Sequence, residues 1–200
     1  VVAELTQLRR RGLWLEGITM AWTLAVAVVA VAAGVAASSV ALVGLGLESV
    51  IELLAAGIVI WQLRGGAARE SRAMRLIAMT FAASAAYLAV ESTKEIIERD
   101  HSGHSTAGLV IAGAALLTMP LLALAKRSTG QALASHPMLA DAQETTLAAA
   151  AAAAALAGVG LDTWLGWWWS VPAAGLVIAA LAATESVHLW MHSKPGHHPD

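Results

Sequence analysis

Apolar residues along this chain fall in long runs, and polar residues gather in short clusters between them. That pattern belongs to helices sized to a bilayer, since helices of a soluble core alternate faces every three or four residues. The runs predict spans near Trp14–Ala37, Ser39–Leu63, Met74–Ile97, Thr106–Ala125, Met138–Leu161 and Trp168–Met191. About 20 apolar residues cross a hydrocarbon core at roughly 1.5 Å per residue, and each run meets that length. Gly65-Gly66, Asp100-His101-Ser102-Gly103, Ser128-Thr129-Gly130 and Asp162 to Gly166 supply turn residues between the runs. The predicted fold class is all-α: a polytopic membrane protein with six transmembrane helices, one domain over residues 1–200.

Composition agrees, with 58% hydrophobic and 13% charged residues and no cysteine. Disulfides and thiolate metal sites are thereby excluded, so a metal would need carboxylate, imidazole, carbonyl or water ligands. Arg9, Arg10, Arg11, Arg64, Arg69, Arg72, Arg75, Lys126, Arg127 and Lys194 fall on one side of the expected topology, leaving Lys94 and Arg99 near the third loop. The positive-inside rule then puts both termini in the cytoplasm of a cell-membrane protein, with Lys126 and Arg127 on the fourth loop. The run after Arg9–Arg11 is long and followed by further spans, so it is expected to be a retained helix. The formal net charge is −2, and no nucleic-acid partner is expected. Trp164, Trp167, Trp168 and Trp169 are expected at the membrane interface, the alanine run 148–155 at a tight helix contact, and a bend at Pro120.

Against this background, acidic residues inside the spans stand out. A charged side chain at the centre of a membrane helix costs about 2.5–3.5 kcal/mol on insertion scales, so such residues face partners or a pathway. Glu48 and Glu52 are four residues apart near the middle of the second span and share a face. Asp141 and Glu144 are three apart in the cytoplasmic third of the fifth span. A site of carboxylate oxygens between these two helices is the predicted metal centre. Glu16 and Glu185 could line an inward vestibule as accessory residues, and Glu91, one turn from Glu95 in the third span, is a further candidate. His101, His104, His188, His192, His197 and His198 are read as weak surface ligands, lacking a rigid scaffold. Clustered carboxylates suit Zn²⁺ first, with Mn²⁺, Co²⁺ or Fe²⁺ as alternatives, and protons compete for the same oxygens, giving a route to antiport. No nucleophile with a neighbouring base, His-Glu-x-x-His motif or cofactor loop points to an enzyme or a resident cofactor.

The segment from Ser39 through Glu48 to Glu52 resembles the second helix of the cation diffusion facilitator (cation efflux) family. Leu139-Ala-Asp141-Ala-Gln-Glu144 resembles the start of that family's fifth helix, and Gly166-Trp-Trp-Trp-Ser-Val-Pro172 the turn before its sixth. The resemblance implies a six-helix transporter, usually a homodimer, exporting divalent metal from the cytoplasm against protons. It implies ligands at Glu48, Glu52 and Glu144. The fourth family position falls on Ala148, which has no ligand atom, and Asp141 is the expected substitute; Val171 stands where the family has Asp. The chain stops soon after the sixth span, as in the short branch without a cytoplasmic metal-sensing domain. A transport-inactive membrane scaffold or metal sensor of the same fold is the alternative.

Overall fold

The structure is a computed structural model and describes residues 2–37, 40–98 and 106–193. The described secondary structure is helical throughout: α1 (Val2–Ala37), α2 (Val40–Gly65), a single 3₁₀ turn (Ala67–Arg69), α3 (Glu70–Glu98), α4 (Thr106–Leu133), α5 (His136–Leu165) and α6 (Ser170–His192). All six α-helices are long and apolar enough to cross a membrane. Ser39, the Asp100–Gly103 connector, Arg99, His101, His104, Lys194, His197 and His198 lie outside the described residues.

Most helices run past the ends that hydropathy predicts, because charge interrupts an apolar run without breaking a helix. α1 takes in Arg9, Arg10 and Arg11, while α4 continues through Lys126 and Ser128-Thr129-Gly130 to Leu133. Lys126 is therefore not a loop residue, and the fourth connector shrinks to Ala134 and Ser135. Ala134 takes a left-handed φ of 48°, uncommon for a residue with a Cβ. Ser135 then occupies the extended cap position, and Pro137 sits in the first turn of α5, where its missing N–H leaves no hydrogen bond unmade. α5 ends on Gly166 at φ 68°, the left-handed cap that glycine adopts without strain. Pro120 lies inside α4, which continues through it.

The helices associate chiefly as pairs, α1 with α2, α3 with α6 and α4 with α5. Glycine decides how closely α1 and α2 approach: a Cβ on Gly46 would meet Val31 Cγ2 at 2.5 Å and the Ala27 carbonyl at 3.1 Å. Side-chain bonds tie one end of the bundle together. Ser71 donates to the Ser193 carbonyl at 2.6 Å, Ser135 to Gln62 Oε1 at 3.2 Å, and His136 pairs with Glu70 at 2.7 Å. Gly12 of α1 belongs to the same end, facing Leu63 and Met138. Here lies the apolar core, around Val59, Leu63, Ile77, Phe81 and Met138.

The outer surface inverts the usual order, for Val28, Leu117, Leu121 and Val177 are each more than 60% exposed. Glu16, Thr23, Lys126 and Asp141 are buried. Trp164, Trp167 and Trp169 are exposed at the α5–α6 turn, with Trp167 and Trp169 stacked at 5.6 Å. In the alanine run, Ala149 and Ala152 are buried.

Candidate functional site

Glu48 and Glu52, one turn apart on α2, and Glu144 on α5 line a common cavity. Phe81 and Ser84 of α3, Ala148 of α5, and Ile178 and Ala182 of α6 complete much of its wall. The cavity is small, with about 20 Å³ of room for water centres, where one water needs roughly 10–15 Å³. One water or one bare ion fills it.

Glu144 is the most enclosed of the three acids, at 6% exposure. Thr80 Oγ1 lies 3.3 Å from Glu144 Oε2 and 2.7 Å from the Ile77 carbonyl. A hydroxyl has one proton, so the two acceptors compete for it unless the carboxyl brings a proton of its own. Glu144 Oε1 is buried and has no hydrogen-bond partner among the described residues. A buried acceptor left without a donor is uncommon in folded proteins and marks a place where a ligand or water belongs.

Asp141 takes a different course. It is 2% exposed, three residues before Glu144 on α5, and does not line the cavity. Its Oδ2 is held by Lys126 Nζ in a close ion pair. The same ammonium lies 3.0 Å from Glu16 Oε2 and 3.4 Å from Thr145 Oγ1. Lys126 and Glu16 are fully buried. Glu16 belongs to an inward stripe of α1 with Gly12, Thr19, Thr23, Ala27 and Ala30, whose two threonine hydroxyls bond back to carbonyls of their own helix. Three helices thus meet around one ammonium.

The four predicted ligands are therefore split: three carboxylates share the cavity, and the fourth is committed to a lysine. Glu16 is an interior residue of the lysine cluster and does not border the cavity. Glu91 is half-buried on α3 away from the cavity, and Glu185 is half-buried at 3.9 Å from His188. His188 and His192 are exposed neighbours, their rings 4.2 Å apart. Among the described residues, no three or more His, Asp or Glu side chains are gathered tightly enough to hold a metal ion as they stand. Sequence reasoning missed Lys126 because it follows an apolar run and precedes Arg127. A signal was present: Lys126, Thr129, Gly130 and Leu133 repeat at helical spacing, and no proline falls between Lys126 and His136.

No protein-family model matches this chain, and no curated protein matches it.

Proposed function

We propose that the chain is a membrane-embedded transporter that exchanges a divalent cation for protons at Glu48, Glu52 and Glu144 by alternating access. The observation that carries this reading is the convergence of three carboxylates from two helices on one ion-sized cavity, with a buried oxygen of Glu144 left unpartnered. The bundle's apolar outer surface and buried charges support a lipid environment, where water would not compensate those charges. An arriving cation would be held by glutamate oxygens; on its departure, protons would neutralise the same oxygens and keep the empty site from carrying excess charge. Oxygen ligands favour Zn²⁺, Mn²⁺, Co²⁺ or Fe²⁺ according to availability. The resemblance of α2 and α5 to the cation diffusion facilitators supplies the outward direction, cytoplasmic termini and a homodimer as parts of the proposal. Asp141 is left out of the ligand set because Lys126 already occupies it.

The test is proton flux in proteoliposomes driven by a Zn²⁺ or Mn²⁺ gradient. Glu48→Gln with Glu52→Gln should abolish the flux while the protein still elutes as a folded species. Unchanged flux rejects the assignment. Ala148, which borders the cavity without a ligand atom, favours one second reading, a transport-inactive metal sensor or scaffold. Stoichiometric binding by calorimetry with no counterflow would select it.

A further inference from the structure

Lys126 is surrounded as a bound cation would be. Its ammonium is approached by Asp141 Oδ2 and Thr145 Oγ1 from α5 and Glu16 Oε2 from α1, with all four residues buried. An ammonium has three donors; Asp141 and Thr145 accept hydrogen bonds from it, Glu16 Oε2 stands at ion-pair distance, and Glu16 Oε1 is a further buried oxygen with no hydrogen-bond partner among the described residues. Asp141 and Glu144 are three residues apart on α5, their backbone positions offset by about 4.5 Å along the helix axis, so the oxygen shell and the cavity are neighbours on one helix. Two carboxylates brought to one point form a site that would attract a divalent cation if the ammonium were absent.

We infer that Lys126 is a tethered cation that fills a second carboxylate site, Glu16–Asp141–Thr145, and so confines mobile divalent cations to Glu48, Glu52 and Glu144. The side chain is part of the chain and cannot leave, whereas an ion in the neighbouring cavity can. The site is thus specific by exclusion: the lysine leaves one exchangeable position where the backbone geometry offers two. In naming which oxygens remain for the exchangeable ion, the inference rests on the transport reading; the filling of the Glu16–Asp141 site by lysine does not.

The experiment counts Mn²⁺ bound per chain by chelator-treated purified protein, from the loss of the free-ion paramagnetic resonance signal. Lys126→Met should bind one more Mn²⁺ than the unsubstituted protein. Lys126→Arg, which keeps the charge, and Lys126→Met with Asp141→Asn, which dismantles the site, should each show no gain. An unchanged count in Lys126→Met overturns the inference. If the unsubstituted protein binds none and Lys126→Met binds one, the cavity reading fails and the tethered cation stands. If both bind one, the reverse holds. Should Lys126→Met not fold, Lys126→Ser, shorter and carrying a hydroxyl that leaves both carboxylates in place, takes its role. That variant should still gain an ion, and no gain there overturns the inference equally.

Discussion

At Asp141, α5 presents a carboxylate that meets an ammonium from α4; at Glu144, one turn on, it presents a carboxylate that meets a threonine hydroxyl and shares a cavity with two more acids. Both are buried on the same helix, so burial alone does not separate them. What differs is the counter-charge. The Lys126 cluster carries its own cation, while the cavity holds three acids and no basic side chain on its wall. A buried ion pair adds little over an apolar replacement, yet removing one partner strands the other, and that loss is large. The first cluster has its counter-charge within the fold, and the second is the one that the proposed exchange would fill and empty.

The strongest blow to this contrast comes from the lysine. Lys126→Met should lower unfolding stability in detergent by about 3–5 kcal/mol, the usual loss when one partner of a buried pair is removed. Glu144→Gln should leave the metal-free protein at least as stable as before, since it removes a charge that has no ionic partner. Equal losses in the two variants would erase the distinction. The next effect is on binding: Glu144→Gln should weaken Mn²⁺ affinity at least tenfold, about 1.4 kcal/mol or more, whereas Glu16→Gln should leave it within a factor of about two, a few tenths of a kcal/mol. The smallest effects are expected at the two threonines. Thr80→Val should alter Mn²⁺ affinity by a few-fold, in keeping with about 1 kcal/mol for a hydroxyl contact. Thr145→Val should change stability by no more than about that amount and leave affinity alone. A Thr145→Val protein with impaired cation binding would show that the two sites act as one.

Much of the helical order was readable in the amino-acid sequence, because apolar runs of bilayer length leave few alternatives. The shared face of Glu48 and Glu52 was also readable from their spacing of four residues on α2, and Glu144 was expected beside them, together with Asp141, from the resemblance of α2 and α5 although its depth was placed nearer the cytoplasm. The fate of Asp141 was not readable. Its partner lies fifteen residues earlier on α4, and hydropathy treats any lysine after an apolar run as the end of that run. The energetics run the other way, since a lysine beside two buried acids is compensated and need not reach water. Helix ends were misplaced for the same reason at Arg9 to Arg11, where charged residues extend α1 beyond its apolar stretch.

The pairing of helices gives the cavity a particular leverage. Its wall draws Glu48 and Glu52 from the α1–α2 pair, Phe81 and Ile178 from the α3–α6 pair, and Glu144 from the α4–α5 pair. On the proposed reading, an ion seated there would clasp three separately braced blocks, so that rocking any block against the other two would open or tighten its grip. The lysine, by contrast, fastens α1 to the α4–α5 block alone, while the α3–α6 block is held to α5 by the uncharged Thr80 hydroxyl and by the His136–Glu70 pair at one end.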